Sequence, residues 1–450
     1  VPHFLMSNAT LQLALRLLIP VALLTVCLWM LAQRLEPGAS GAIWAHVVQV
    51  RPTIWALALG LSMASLWAVG RYDGVAHRHL GTQLRDRPAR IAGTASIALA
   101  QTLGVGVISG ALARWRLLAD LSLGEALRLS AFVSVSFIAG WAAVTALACL
   151  LLPAPDWTFW PALAGLAVAA AVVGLQFFCP VLRLRSRQVH LPTLPASGAI
   201  LLWTAVDTVC AAGALYVLLP AGADVSPAQF LPLFLLALGT ALISNTPGGV
   251  GPFELMMLGL MPHLPAADVL GSIVAFRLIY YALPALLAAV ALARPLKNTR
   301  TIPPAPVPLA VSAAWPAELG VMRQNGAQAV SRHGATLALW PTAQTLTALG
   351  DPLAGRTETG LNTLRCLARS QSRLPALYKC GARTAATARR AGWAVMHIAD
   401  EALIATDRYD TSRPAFRRLR RKLRAAEKSG VVVSYTRALP LAEMARVDAA

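Results

Sequence analysis

The stretch Ile243-Ser244-Asn245-Thr246-Pro247-Gly248-Gly249-Val250-Gly251-Pro252-Phe253-Glu254 lies in the middle of an apolar run from Gln229 to Met261. Two prolines, three glycines and an asparagine fall within the eight residues 245–252. Such a string cannot continue a helix. Non-helical backbone at membrane depth is tolerated only where protein or a wet cavity satisfies its amide groups. The run therefore predicts a segment that dips into a bilayer, breaks and returns. Around it lie further apolar segments at 11–31, 52–70, 91–113, 129–152, 159–179, 198–219 and 268–293. Most are of the length a hydrocarbon layer of about 30 Å requires.

Composition agrees. The 450-residue chain is 57% hydrophobic and 13% charged, with mean hydropathy +0.60, too apolar to be hidden in ordinary soluble cores. Charge divides it: 16 Lys and Arg face 10 Asp and Glu up to Arg294, and 23 face 10 beyond it. The first residue is Val1, so a missing N-terminus is expected. The run at 11–31 is too long for a cleavable signal and reads as a retained span. The six cysteines include no CxxC, which indicates neither a disulfide framework nor a zinc site. His77 and His79 read as part of a solvated loop, and no metal site is expected.

Basic loops belong inside, and the strongest are 71–90, Arg183 to Arg187 and 294–300. If every segment crossed once, the first two would lie on opposite sides. The conflict disappears if 91–113, which contains Gly104, Gly106 and Gly110, dips in from the cytoplasm and 229–261 dips in from outside. Two broken elements entering from opposite faces point to a transporter-like core. The competing arrangement is a single span at 91–113 followed by an amphipathic interfacial helix over 115–128. The fold expected is a polytopic α-helical membrane protein of about 6 to 8 spans with re-entrant segments, plus a cytoplasmic α/β part.

Asp207, Glu254 and Arg277 stand within apolar stretches, where a charge costs several kcal/mol unless paired or hydrated. They are candidate cavity residues. Glu254 falls in the first turn after Pro252, where the helix dipole favours a carboxylate; it reads either as a cap or as part of a polar pathway. Asp73, Arg114 and Arg116 lie at membrane boundaries. Two arginines suit a phosphate and a carboxylate suits an ammonium group, which together fit a zwitterionic or cationic lipid headgroup.

Prolines 303, 304, 306, 308 and 316 mark a stiff linker over 295–320. Beyond it, strand-like runs at 327–332, 336–340 and 345–349, a helix over 358–370, and alternating segments at 376–379, 382–391 and 394–398 form an α/β pattern. Arg417, Arg420, Arg421 and Arg424 belong to a cationic amphipathic stretch from Arg413 to Lys428. It reads as a solvated face, as attraction to anionic membrane lipids, or as capture of an RNA backbone.

Three stretches carry a resemblance in the apolar part: Val69-Gly70-Arg71-Tyr72-Asp73, Leu103-Gly104-Val105-Gly106 through Arg114-Trp115-Arg116, and Ile243 to Glu254. In the basic part it is carried by Leu349-Gly350-Asp351-Pro352-Leu353, Leu377-Tyr378-Lys379, Ile398-Ala399-Asp400-Glu401-Ala402 and the Arg-rich helix ending in Lys428-Ser429-Gly430. In this order they resemble the bacterial lysylphosphatidylglycerol synthetase/flippase family, the multiple peptide resistance factors. The resemblance implies a flippase-like domain at 1–294, a linker at 295–320 and the N-terminal part of an aminoacyltransferase domain at 321–450, GNAT-like in fold. It implies transfer of lysine or alanine from aminoacyl-tRNA to phosphatidylglycerol and movement of the product to the outer leaflet, with resistance to cationic antimicrobial peptides. A multi-pass protein of the bacterial inner membrane, without cofactor and able to form a homo-oligomer, is expected. Asp73, Arg114, Arg116 and Glu254 are the implied headgroup residues, with Asp207 and Arg277 beside them. Arg417, Arg420, Arg421 and Arg424 are implied for tRNA or lipid phosphate. The family's transferase domain has two tandem halves, and its catalytic residues are expected beyond Ala450. The competing reading is a lipid transporter or membrane scaffold without transferase activity.

Overall fold

The computed structural model describes residues 25–27, 29–31, 39–103, 106–184, 187–294, 296, 299–300, 306–307, 327–400 and 409–433. Most of the expected span at 11–31, most of the linker, Gly104, Val105, Glu401 and Ala402 lie outside them. The described residues form two compact units, one up to Ala394 and one from Val395 onward.

Among the described residues six helices are long and apolar enough to cross a membrane: Pro52–Leu80, Leu123–Leu151, Asp156–Phe178, Leu194–Tyr216, Pro227–Ser244 and Ala266–Leu292. The protein is a polytopic membrane protein. Helix α1 (Ala39–Gln49) precedes α2 (Pro52–Leu80), whose last turn closes on Gly81 in the left-handed conformation. Next come α3 (Asp86–Leu103) and α4 (Gly106–Leu117), packed on each other as two arms of a hairpin. Helix α5 (Leu123–Leu151) starts from a Ser122–Glu125 capping box. No helix spans 115–128, which removes the interfacial-helix alternative.

Both ends of the α3–α4 hairpin lie on one side. Arg85 N donates to Thr299 O at 2.8 Å, just before α3 begins. At the other end, Leu296 N donates to Leu117 O at 2.9 Å, and Asp120 accepts from the Thr299 hydroxyl and backbone N–H. Those hydrogen bonds, the Thr299 hydroxyl first, hold the Asp120 carboxyl below the usual carboxylate range. The predicted re-entrant segment is thus a helical hairpin pinned at both feet by the residues that follow the last span.

Helix α6 (Phe159–Phe178) turns its apolar side chains outward, with Val168 and Phe177 largely exposed, as a lipid-facing helix does. On either side of residues 185–186 the chain forms two antiparallel strands, β1 (Val181–Leu184) and β2 (Arg187–His190). Helix α7 (Leu194–Tyr216) returns across the bundle against α2.

The second hairpin is made of α8 (Pro227–Ser244) and α9 (Pro252–Leu260). Asn245 closes α8 with φ 49°, and Gly248, Gly249 and Gly251 all take positive φ, a conformation that glycine adopts at least cost. Gln229 and His263, at the two ends of this hairpin, line one cleft with Pro153, Pro155 and Asp224. It therefore also leaves and returns on one side. Helix α10 (Ala266–Arg277), a π-helical turn at Leu278–Ala282 and α11 (Leu283–Leu292) make the last span. The tips of the two hairpins meet: a Cβ added to Gly248 would stand 3.8 Å from the Gln101 carbonyl oxygen, two residues short of the end of α3.

Beyond the bundle, β3 (Pro306–Val307), β4 (Gln328–Arg332), β5 (Ala335–Pro341), β6 (Thr345–Leu349) and β7 (Leu374–Tyr378) form a mixed sheet in that order. Only β6 and β7 are parallel, and α12 (Thr357–Ser370) connects them. Its Leu364 and Leu367 pack on Leu337, Leu339 and Leu346. After β7, α13 (Ala382–Arg390) forms as expected. The expected strand at 394–398 does not: that backbone has no strand pairing, and Met396 and Ile398 are exposed. The second unit holds α14 (Arg417–Lys428), and within it Tyr409 packs edge-on against Phe416.

Single cysteines test the hairpins in a cysteine-free background. Arg87→Cys and Ala119→Cys should react with an impermeant maleimide from one side of the membrane, and Ala154→Cys and His263→Cys from the other. Labelling of 87 and 119 from opposite sides would remove the first hairpin.

Candidate functional site

Each hairpin is tied to a full span by one buried ion pair. In the first, Arg114 on α4 donates from Nη2 to Asp73 Oδ1 on α2 at 2.5 Å and from Nη1 to Ser130 Oγ on α5 at 2.8 Å. Asp73 is 0% and Arg114 2% exposed. Removing one partner of such a pair strands the other charge in a dry place, at a cost of about 3–5 kcal/mol. The pair needs room, which Gly93 on α3 supplies: a Cβ there would lie 2.3 Å from the Asp73 side chain.

In the second hairpin, Glu254 occupies the first turn of α9. Its Oε2 accepts from Gly251 N at 2.7 Å, and its Oε1 accepts from Arg277 on α10 at 2.6 Å and 2.9 Å. Arg277 also donates from Nη1 to Gly248 O at 2.7 Å and lies over the Tyr281 ring at 5.4 Å. The capping and pathway readings of Glu254 are therefore not exclusive, since the same carboxylate caps the helix and pairs with a part-buried cation.

Asp207 on α7 is in a third place. It accepts from the Ser65 hydroxyl on α2 and, at 3.3 Å, from Tyr280 OH in the π-helical turn, and Ser65 Oγ and Tyr280 OH are 2.8 Å apart. Among the described residues no basic side chain pairs with it. This cluster joins three spans through neutral hydroxyls, unlike the other two.

Arg116 is separated from Arg114. It is two residues further along α4 and is exposed, while Arg114 turns inward. Two arginines side by side on one phosphate, as the sequence suggested, are thus not what α4 presents. His77 is also placed differently from the solvated loop expected of it: it is 3% exposed, with Nε2 3.3 Å from Asp73 Oδ2. Its i,i+4 spacing from Asp73 on one helix was the signal. His79 stacks on Phe132 with ring centroids 4.8 Å apart.

In the sheet, the two quoted motifs come together at the ends of the parallel strands. Gly350 N donates to Tyr378 O at 2.8 Å, and Asp351 Oδ1 accepts from Gly381 N at 2.9 Å. Ends of adjacent parallel strands are where α/β folds place ligands. The sheet also touches the bundle. Gln344 donates to Gln176 O at 2.8 Å and accepts from Leu194 N at 2.9 Å, and Ser372 O accepts from Thr193 Oγ1. On α14, Arg417, Arg421 and Arg424 are exposed, whereas Arg420 is half-buried and donates to the carbonyls of Thr411 and Arg413. Among the described residues no group of His, Cys, Asp and Glu is arranged to hold a metal.

A multi-pass bundle with two opposed broken hairpins, each held by an ion pair, and a small mixed sheet after it define a polytopic membrane protein with a further α/β part. Residues 311–450 match the family described as "Phosphatidylglycerol lysyltransferase, C-terminal", in line with the motifs quoted from that part of the chain. The chain is 28% identical over 290 residues to "Uncharacterized protein slr0712" of Synechocystis sp., covering 57% of this chain and 90% of that one. It is 22% identical over 262 residues to "Inner membrane protein YbhN" of Escherichia coli, covering 55% and 81%. Both likenesses are longer than the segment 311–450, so they extend into the rest of the chain.

Gly93→Ala tests the packing around Asp73. Gly→Ala inside a helix ordinarily stabilises by about 0.5–1 kcal/mol. Here it should destabilise by about 1–3 kcal/mol through overpacking, read as a fall in the melting temperature of the detergent-solubilised protein. Gly60→Ala, with open space around it, is the control expected to hold or gain stability.

Proposed function

We propose that this chain works on aminoacylated phosphatidylglycerol: its soluble part belongs to the transfer of an amino acid, lysine or alanine, from aminoacyl-tRNA to phosphatidylglycerol, and its bundle carries the product to the outer leaflet. One observation supports the second half most. The tips of two hairpins that enter from opposite ends meet inside the bundle, and each hairpin is held by an intramembrane ion pair, Asp73–Arg114 or Glu254–Arg277. Discontinuous helices meeting inside a bundle are how transporters expose polar groups to a substrate without opening a pore. A phosphodiester suits Arg114 and Arg277, and an α-ammonium group suits Asp73, Glu254 and Asp207.

The end of the bundle that carries Arg78, Arg85, Arg87, Arg90, Arg294 and Arg300 reads as cytoplasmic, because basic loops are retained on that side. The sheet lies against that end through Gln344 and Ser372, where charged tRNA is found. The exposed Arg417, Arg421 and Arg424 suit tRNA or lipid phosphate, with Arg420 shaping the turn before them. The chemistry is attack of a glycerol hydroxyl on an activated ester, which needs positioning and an oxyanion stabiliser more than a strong acid. The competing reading is a lipid transporter or membrane scaffold without transferase activity.

Lipid extraction with mass spectrometry of cells carrying or lacking the gene separates the two. Aminoacyl phosphatidylglycerol present only with the gene is the expected result, and no difference in that lipid removes the synthase reading. In the same cells, Glu254→Gln should leave the total aminoacyl lipid unchanged while lowering its outer-leaflet fraction several-fold at equal expression. An unchanged outer fraction would remove Glu254 from the pathway.

A further inference from the structure

Arg71 belongs to the quoted stretch 69–73, and the proposed function leaves it without a role. It is the first residue after the apolar run 52–70, and its guanidinium carbon lies 4.8 Å from the centre of the Trp67 ring and 6.0 Å from that of Trp203. The two indoles meet edge-on at 5.2 Å, and Trp67 is 53% exposed on a helix that crosses the membrane, so its ring faces lipid. Tryptophan and arginine at the end of a span mark the level of the lipid headgroups. Among the described residues no carboxylate pairs with Arg71, and its buried Nε has no hydrogen-bond acceptor.

Two more arginines stand beside it. Arg71, Gly74 and Arg78 share one face of α2 at i, i+3 and i+7. Arg90 of α3 packs over that face: a Cβ added at Gly74 would lie 3.7 Å from both Arg78 Nη1 and Arg90 Nε, so the glycine lets the two guanidinium groups approach. Arg78 feels the positive charge of both Arg90 and Arg71. One carboxylate answers all three. It is Asp86, 2.9 Å from Arg90 Nη2 and 3.5 Å from Arg78 Nη1. Asp73, on the same helix, is buried and taken by Arg114. Three arginines against one carboxylate leave a net charge of +2 at this place, and Arg90 Nε, like Arg71 Nε, lacks an acceptor among the described residues. The sheet borders the group through Ser372, whose hydroxyl accepts from Arg78 Nε at 3.4 Å.

We propose that Arg71, Arg78 and Arg90 hold the phosphate of an anionic glycerophospholipid of the cytoplasmic leaflet, at the seam between α2, α3 and the sheet. Planar guanidinium donors fit phosphate oxygens, and the lipid-facing Trp67 beside them places the site where acyl chains reach and RNA does not. The one carboxylate at hand is already bound by two arginines, so nothing is left to receive an ammonium group. The seam therefore selects phosphatidylglycerol over a zwitterionic lipid and over the aminoacylated product. This rests on the reading of the chain as one that works on phosphatidylglycerol, and it names where the unmodified lipid is held.

The test uses the full chain in phosphatidylcholine nanodiscs containing a photoactivatable phosphatidylglycerol, with crosslinked peptides identified by mass spectrometry. Crosslinks should fall within residues 67–90, and unlabelled phosphatidylglycerol should suppress them at about tenfold lower mole fraction than phosphatidylethanolamine or lysylphosphatidylglycerol. Equal suppression by the three lipids overturns the proposal. Arg71→Gln and Arg90→Gln should each lower this labelling about tenfold, whereas Arg87→Gln, which removes an exposed charge from the same loop, should lower it less than about twofold. Undiminished labelling in Arg71→Gln and Arg90→Gln overturns the site, as does an equal loss in Arg87→Gln. If Arg71→Gln does not yield folded protein, Arg71→Lys, which keeps the charge and loses the planar fork, is read instead. A several-fold loss is then expected, and wild-type labelling overturns. Labelling by phosphatidylglycerol no stronger than by a photoactivatable phosphatidylcholine overturns the lipid reading itself, while specific labelling that maps to other residues overturns only this site. Soluble glycerophosphoglycerol and tRNA should leave the crosslinks unchanged. Suppression by the first would assign the site to a free phosphodiester and by the second to RNA, and either overturns the lipid assignment.

Discussion

Arg277 does three things with one guanidinium: it pairs with Glu254, donates to the Gly248 carbonyl and covers the Tyr281 ring. In hydrocarbon every backbone polar group must find a partner inside the protein. The turn at 245–252 supplies only some of its own, such as Gly249 N to Thr246 O at 2.9 Å, because two prolines remove donors and positive-φ glycines break the helical ladder. A cation from a neighbouring span satisfies a carbonyl that the turn leaves open, and the carboxylate that neutralises the cation also caps the next helix. The second hairpin can exist at depth because these groups close on one another. The first repeats the logic with the charges exchanged, the arginine now on the hairpin and the carboxylate on the span.

Much of this was legible in the chain. Prolines and glycines announce a broken helix wherever they cluster in an apolar run, and the conflict between basic loops and a simple span count showed where the breaks had to be. The strand-like runs read at 327–332, 336–340 and 345–349 form strands at 328–332, 335–341 and 345–349. What stayed hidden depended on facing. Arg114 and Arg116 are two apart on a helix, so they point apart, and only the packing of α4 decides which is buried. His77 looked like a loop residue because the polar run 71–90 reads as loop, although α2 continues through Leu80. Gly93 is silent in sequence, since nothing about a glycine in a helix says which carboxylate it makes room for. The strand expected at 394–398 failed because alternation alone cannot supply a pairing partner.

Asp207 marks a different use of burial. Its partners are the hydroxyls of Ser65 and Tyr280, and the latter sits in the π-helical turn that separates α10 from α11. One extra residue in a helical turn rotates everything beyond it relative to everything before it. That offset lets Arg277 face the broken hairpin while Tyr280, three residues on, faces α2 and α7.

The contact between Asp120 and Thr299 bears on how the protein is made. The two residues are 179 positions apart, and the second follows the last span of the bundle. A ribosome produces Asp120 long before the residue that anchors it. Until residues 296–299 leave the ribosome, both feet of the first hairpin lack these hydrogen bonds. The bundle is therefore completed from its C-terminal side, and a chain interrupted before residue 296 would contain every described helix of the bundle and still lack the hydrogen bonds at the feet of its first hairpin.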